Sequence, residues 1–476
     1  MSIFKACDIR GVYPDELTVQ FAADLGRAVG TVLGGGPVAV GGDVRVSTPA
    51  LKQGLLTGLF ETGCQIVDLG ILPTPAFYFA KRQLAIPGGV MVTASHNPAR
   101  YNGFKITLGD WPITEEEIVR LQTLIEQRSF AERPGGTLVT LDLLPDYRDH
   151  LKATLSGIRD EHAGTLPVPP NPIPPDQTRV VLDCGNGCYS RIAPELFAEL
   201  GYDVRRLFSE EDGAFPNREP NPAIAANLAA LCRKVPEEDA TLGVAFDGDG
   251  DRVAFVDERG RVVPSDQMIA LLARHLLQAN PGGKVVFDLK CSTLVPETVR
   301  EAGGIPLMEK SGHAFIKTTL LKEGAVFAGE ISGHFFFARL GGDDGLFAAL
   351  LVADLVRENG GSLARLVSQL PAYFTTPDIR LPYHDSDQAE LLSTLASALR
   401  ARDDCQLSLL DGVRAEWPDG WGLLRVSVTE PLLTLRFEAR DRSILDDIKD
   451  RFLGAIPKVK ALVDEVWLKY APPPPE

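Results

Sequence analysis

Three aspartates alternate with glycines in Asp247-Gly-Asp249-Gly-Asp251, and Arg252 follows at once. In an extended segment, side chains two residues apart point the same way, so this spacing directs three carboxylates to one side. Three converging carboxylates need a cation, and all-oxygen ligands suit a hard ion such as Mg²⁺, which keeps open positions for water or phosphate. The same pattern opens an EF-hand calcium loop, with Glu258 at its twelfth position. Against that, Arg252 stands where the loop needs glycine, and Val244-Ala-Phe and Val253-Ala-Phe-Val read as strands. A solvated acidic turn is the reading without chemistry.

Ser95, in Thr93-Ala-Ser95-His96-Asn97-Pro98, follows an apolar strand, and Pro98 turns the chain just beyond. Its hydroxyl is expected at a loop tip, where it can act as a nucleophile. Taken alone, such a string is more often an Asx or serine turn. Beside three carboxylates the reading changes, because a metal next to a serine can bind a phosphoryl oxygen and neutralise charge during transfer. Lys105, in Tyr101-Asn-Gly-Phe-Lys105, puts a cation near the same loop. Arg10, in Asp8-Ile-Arg10-Gly11, and Lys290, just after Asp288, are similarly placed, with surface charge the plain reading of each. Glu330 and Ser332, in Gly329-Glu-Ile-Ser-Gly-His334, are flanked by glycines that allow close approach and suit sugar hydroxyls. Lys310-Ser-Gly-His313 adds a cation and a titratable imidazole, which a structural histidine explains equally well. Arg425, Ser427 and Thr429 alternate before Pro431, so one strand face carries three donors able to grip a phosphate; an exposed strand face accounts for them almost as well.

A threefold pattern positions these loops. Apolar runs ending in aspartate recur at Val38 to Asp43, Val180 to Asp183 and Val285 to Asp288. Each is followed by a helix-length segment and a Gly-led strand, beginning at Gly63, Gly201 and Gly303. A third strand closes each unit, at Gly89-Val-Met-Val, Leu242-Gly-Val-Ala-Phe and Ala325-Val-Phe-Ala. In open α/β sheets ligands bind beyond the carboxyl ends of strands, and the Ser95, Asp247 and Glu330 loops follow these third strands directly. Beyond about residue 373 the rhythm stops, and alternating strands such as Leu423-Leu-Arg-Val and Leu433-Thr-Leu-Arg suggest a smaller α+β unit. The expected fold is three tandem related α/β domains, with mixed sheets sandwiched by helices, plus a smaller C-terminal α+β domain. The boundaries read as 1–141, 142–262, 263–372 and 373–476. A stretch of six prolines between Gly164 and Asp176 reads as a surface loop, and Ala471-Pro-Pro-Pro-Pro-Glu as a frayed tail.

A chain of 476 residues with 45% hydrophobic and 24% charged residues can bury several cores. A formal charge of -16 repels nucleic acid, so a bound phosphate must be attracted locally. Seven cysteines without a CxxC pair read as reduced thiols of a cytoplasmic protein, and the N-terminal residues lack a signal-peptide pattern. The apolar run Gly345 to Val356, broken by Asp354, is too short to span a bilayer and reads as a buried helix.

Taken in order, Asp8-Ile-Arg-Gly, Thr-Ala-Ser-His-Asn-Pro, Asp-Gly-Asp-Gly-Asp-Arg, Lys-Ser-Gly-His, Gly-Glu-Ile-Ser-Gly-His and Arg-Val-Ser-Val-Thr-Glu-Pro resemble the motifs of the α-D-phosphohexomutase superfamily. The likeness is nearest to the bacterial phosphomannomutase/phosphoglucomutase branch and covers nearly the whole chain. It implies four domains around a central cleft and an active-site phosphoserine at Ser95. The metal, Mg²⁺, would be held by Asp247, Asp249, Asp251 and the Ser95 phosphate. Arg10, His96, Lys105, Arg252 and His313 would line the reaction centre, with Lys105 or His313 as general acid/base. Lys290, Glu330, Ser332 and His334 would hold the sugar, and Arg425, Ser427 and Thr429 its distal phosphate. The implied partners are glucose and mannose 1- and 6-phosphates and their 1,6-bisphosphates, acting on a monomer or homodimer. Phospho-Ser95 would phosphorylate a hexose phosphate to a bisphosphate, which turns over and returns its other phosphate, while the fourth domain closes to exclude water. The late phosphate loop departs from the usual Ser-Asn-Thr, having Val428 in the middle. Gly250, where phosphoglucosamine mutases typically carry alanine, favours hexoses without an amine. Phosphoglucosamine mutase, a metal-dependent sugar phosphatase and a silent sugar-phosphate binding protein are the alternatives.

Overall fold

The computed structural model describes residues 3–5, 7–162, 173–383, 388–426 and 432–470. Most of the proline-rich stretch and the terminal tail lie outside them. Three sheets carry the site. In each, three parallel strands lie in the spatial order third, first, second, and an antiparallel strand flanks the third. In the first sheet these are Gly88–Val92, Pro37–Gly42 and Gln65–Ile71. In the second they are Leu242–Phe246, Arg179–Asp183 and Asp203–Leu207, and in the third Phe327–Gly329, Lys284–Asp288 and Ile305–Glu309. The first and third strands of each unit are near-continuous buried apolar runs, as expected for strands covered on both faces, whereas the second strands are only partly buried. The repeated βαβ reading therefore holds in all three units, and the third strand sits beside the first, so their C-terminal loops meet.

The largest hydrophobic core runs through all three units, joining Phe77, Tyr147, Phe197, Phe255, Phe335 and Phe347. Gly345–Glu358 is the buried helix expected at the apolar run. The fourth sheet is antiparallel around Leu432–Ala439 and has its own core, from Ile379 to Trp467. It joins the rest through the small apolar patch of Leu289, Trp421 and Leu423. Polar ties add to this, among them Lys290 Nζ to Asp378 at 3.4 Å and Thr293 N to Glu438 Oε1 at 2.9 Å. The first unit also has a separate core of its own, from Ile9 to Leu121.

Two expectations about local shape are corrected. The segment 247–251 is a bend rather than an extended strand, with Gly250 at φ +83. Ser95 is not at an exposed tip: only 2% of it is accessible.

Candidate active site

The first strand of each unit ends in a fully buried aspartate that ties down the loop after the third strand. Asp43 accepts from Arg45 Nε at 3.0 Å and from Thr93 Oγ1 at 2.7 Å. The Arg45 guanidinium then donates to the carbonyls of Ser95 (2.8 Å), Asn97 (2.6 Å), Pro98 (2.8 Å) and Tyr101 (2.9 Å). Arg45 is 1% exposed and lies over the Phe215 ring. In the second unit Asp183 binds Arg218 at 2.9 Å, and Arg218 donates to the Phe246 carbonyl at 2.7 Å. In the third, Asp288 accepts from Ser311 Oγ at 2.6 Å and, at 3.4 Å, from the amide of Ile331.

Held by this strut, Ser95 adopts a left-handed φ of +49, which costs a non-glycine residue energy and persists only where the surroundings fix it. Its amide donates to Thr93 Oγ1 at 2.8 Å. Its hydroxyl donates to Asp247 Oδ2 at 2.7 Å and lies 3.3 Å from His96 Nδ1. Gly248 permits this approach, since a Cβ there would sit 2.7 Å from the Ser95 carbonyl oxygen. Gly250 is equally constrained: besides its positive φ, a Cβ would meet the Tyr189 ring at 2.5 Å. Alanine at that position would need the ring to move.

The three aspartates converge as expected, but through the bend. One carboxylate oxygen of each lies within 4.8 Å of the others, and all three residues are buried. Asp247 Oδ1 accepts the amides of Gly250 (2.8 Å) and Arg252 (3.1 Å), so the bend itself aims the carboxylates. Asp249 accepts from Thr74 Oγ1 at 2.7 Å and Lys105 Nζ at 2.8 Å, and Lys105 also contacts Asp251. Burial, then the charges of Asp251 and Asp249, push the Asp247 carboxyl well above the usual range. Burial opposes the charge of Asp251 too, but Lys105 and His334 outweigh it and hold Asp251 well below. Asp249 Oδ1 is buried without a hydrogen-bond partner among the described residues, and Asp251 Oδ1 faces the His334 ring at 3.3 Å. An all-oxygen set with repelling charges and an orphaned oxygen fits a hard divalent cation. The calcium-loop alternative fails, because Glu258 points elsewhere and binds Ser362 Oγ at 2.5 Å and the Ala364 amide at 3.2 Å, next to the helix Leu363–Val367.

Around this centre lies a cleft of about 700 Å³ lined by Ser95, His96, Lys105, Arg10, Asp251, Arg252, His313, Glu330 and His334. Arg10 donates to Asn97 Oδ1 and Asp8 Oδ2, each at 2.6 Å. Burial, with Arg252 and Arg10 adding, lowers the His96 pKa well below its ordinary value, so the ring is neutral. Burial works against a charge on His334, but Asp251 overcomes it against the opposing Arg252, and the pKa rises to about 10. His334 lies 3.3 Å from Asp251 Oδ1 and 3.3 Å from Glu330 Oε2. His313 Nε2 meets Asp343 at 2.8 Å.

Asp247 and Asp249 lie behind the lining, of which only Asp251 of the three aspartates is part, and three further expected residues do not line the cleft. Ser332 Oγ meets His334 Nδ1 at 2.9 Å, Lys290 reaches Asp378, and Arg425 pairs with Asp411 at 2.5 Å. Ser427, Val428 and Thr429 lie outside the described residues. Sequence reasoning overlooked Arg45, Arg218 and Asp343. A charge two residues after a strand's terminal aspartate marks Arg45 as a partner for Asp43 but not as a clamp on the Ser95 loop; Asp343, in the two-residue strand Gly342–Asp343, gave no signal.

Comparisons with known proteins agree along the chain. Models described as phosphoglucomutase/phosphomannomutase alpha/beta/alpha domains I, II and III match residues 1–132, 161–260 and 264–374, and the C-terminal domain model matches 379–455. The chain is 38% identical over 468 residues to a phosphomannomutase/phosphoglucomutase of Pseudomonas syringae, covering 97% of each. To that of Pseudomonas aeruginosa it is 39% identical over 463 residues, covering 96% of each. A crystal structure of a phosphoglucomutase/phosphomannomutase family protein from Burkholderia thailandensis superposes with a TM-score of 0.85 at 35% identity, covering 96% of this chain and 97% of that one.

Proposed function

The chain belongs to the phosphoglucomutase/phosphomannomutase family of α-D-phosphohexomutases, and on that premise we propose that it interconverts the 1- and 6-phosphates of glucose, mannose or both through a phosphoserine at Ser95. The observation that carries this reading is the Ser95 hydroxyl, buried in a strained turn 2.7 Å from Asp247 at the mouth of a three-carboxylate cluster.

Asp247, Asp249, Asp251 and the Ser95 phosphate would hold Mg²⁺, which when bound supplies positive charge to the transferring phosphoryl oxygens. The chain's own residues do the rest. Arg10 and Arg252 border the cleft beside Ser95 and offset charge that develops on the phosphoryl group. Neutral His96 offers an acceptor to the Ser95 side chain. Lys105, although buried, is held charged by Asp249 and Asp251 and therefore enters as a cation. His313 orients one ring nitrogen on Asp343 and keeps the other for a sugar hydroxyl proton, which makes it the better base of the two candidates. In the forward step the bond from phosphorus to Ser95 Oγ breaks, a bond to the sugar hydroxyl forms, and the hydroxyl proton leaves to the base. The bisphosphate then turns over and its other phosphoryl group returns to Ser95. Glu330 and His334 stand where sugar hydroxyls would bind; Arg425, Ser427 and Thr429 are assigned the distal phosphate by likeness alone. The seven free cysteines are consistent with a reducing cytoplasm, and no helix among the described residues is long and apolar enough to cross a membrane.

The test is a coupled assay of glucose 1-phosphate, mannose 1-phosphate and glucosamine 1-phosphate, with Mg²⁺ and a trace of glucose 1,6-bisphosphate. Bisphosphate-stimulated isomerisation of either hexose supports the proposal. Turnover of glucosamine phosphate alone, or net release of phosphate, overturns it.

A further inference from the structure

Two helices that line the cleft and meet at Tyr78 carry cations that the reaction described above does not use. From Thr74–Gln83, Tyr78, Lys81 and Arg82 share one face at i, i+3 and i+4; from His313–Glu323, His313 and Lys317 do so at i and i+4. All five line the cleft. His313 lies against Tyr78 with ring centroids 6.2 Å apart, and the Lys317 ammonium sits 3.9 Å from the Tyr78 centroid.

Lys317 is 8% exposed, and its surroundings differ from those of the other buried lysines. Lys52 pairs with Asp68 and Lys449 with Asp464, while Lys81 donates to the Gly109 carbonyl. Lys317 has the ring face and no hydrogen-bond or ion-pair partner among the described residues. The carboxylate that acts on it most strongly, Asp343, is committed to His313 at 2.8 Å. Burial, offset by Asp343 but reinforced by Arg82, Lys81 and Lys105, brings the Lys317 pKa down to about 8, so it remains mostly charged at neutral pH. Arg82 is exposed at the rim and in no ion pair among the described residues. Between them run two glycines: a Cβ on Gly341 would lie 2.1 Å from Arg82 Nη1, and one on Gly342 3.2 Å from Lys317 Nζ. The absence of side chains at these two glycines lets both cations approach the same stretch of backbone, and both line the cleft.

Lys317, with a ring face but no counter-ion among the described residues, stands near Lys81 and Arg82, whose positive charges repel its own, so an anion joining the three would be favoured. Arg82 offers a planar fork and the two lysines point charges, a donor set that fits a tetrahedral dianion. We infer that Lys81, Arg82 and Lys317 form an anion subsite in the cleft wall, apart from the three aspartates and from Arg425, that takes a phosphate dianion. The dianion is either inorganic phosphate or a phosphoryl group carried by a sugar.

The experiment is calorimetric titration of the full chain with inorganic phosphate at fixed ionic strength, which reads binding without turnover and so is independent of the mutase reading. Lys317→Met and Arg82→Gln are each expected to weaken one phosphate-binding component about tenfold, whereas Arg425→Gln leaves that component unchanged. Arg82 is exposed, so Arg82→Gln carries the test even if Lys317→Met perturbs folding, and thermal unfolding checks both. Repeating the titration with glucose 1,6-bisphosphate in a Ser95→Ala background separates the sources. A parallel loss assigns the subsite to the sugar's phosphate; a loss confined to inorganic phosphate assigns it to the free anion. Wild-type affinity for both ligands in both variants overturns the inference.

Discussion

The aspartates that end the three first strands and the loops that end the three third strands sit at equivalent places and behave oppositely. Asp43, Asp183 and Asp288 all do one job: each is fully buried, and each binds the neighbouring loop through a cation or directly. The third-strand loops share no chemistry, one offering a hydroxyl at Ser95, one three carboxylates and one Glu330 with His334. A repeated scaffold with diversified loops lets three copies of one unit converge different groups on one cleft. Substituting a strut should cost stability and positioning together, while substituting a loop group should cost turnover alone.

The largest effect is expected at Ser95. Ser95→Ala should reduce isomerisation about a thousandfold or more, while thermal unfolding moves little, because only a hydrogen bond worth about 1 kcal/mol is lost. Asp247→Asn should reduce metal-dependent turnover at least about a hundredfold. Burial and like charges disfavour its carboxylate in the metal-free fold, so calorimetry of that form should show no loss of stability. Arg45→Met breaks the scaffold side of the comparison. It strands Asp43 and four loop carbonyls, and denaturant unfolding should reveal a loss of about 3–5 kcal/mol. Arg45→Lys restores charge without the fork, so it should recover part of the stability but not kcat.

The smallest effect sets two adjacent carboxylates apart. Asp343 serves His313 in the cleft, whereas Asp344 faces Tyr147 and Tyr189 in the core. Burial raises Asp344 to about 6, against donors that lower it. Between the ordinary carboxylate range and about 6 the folded chain binds more protons than the unfolded one, so this group's contribution to stability falls as pH rises through that window. Its full size is about 3 kcal/mol at most. Asp344→Asn should flatten that part of the stability-pH curve without changing KM.

Much of this was legible in the sequence. Apolar runs ending in aspartate located the first strands, their recurrence with Gly-led second strands gave the repeat, and the central cleft followed from the family resemblance. The convergence of Asp247, Asp249 and Asp251 was also legible, although through the wrong geometry: glycines read as spacers in an extended segment instead close a bend whose amides aim the carboxylates. Arg45 was not legible as a clamp, because its acceptors are backbone carbonyls about fifty residues away and any sequence supplies carbonyls. Lys317 was hidden for a different reason. On its helix it reads as an ordinary lysine, and only the helix met at Tyr78 shows that it lacks an anion.

The central claim is that Ser95 relays the phosphoryl group, and intact-mass spectrometry tests it most directly. Wild type and Ser95→Ala would be incubated with glucose 1,6-bisphosphate and Mg²⁺ and then weighed. The account predicts the added mass of one phosphoryl group on wild type, mapped to the peptide containing Ser95, and none on the variant. Equal labelling of both chains, or turnover of the bisphosphate by the unlabelled variant, would contradict it.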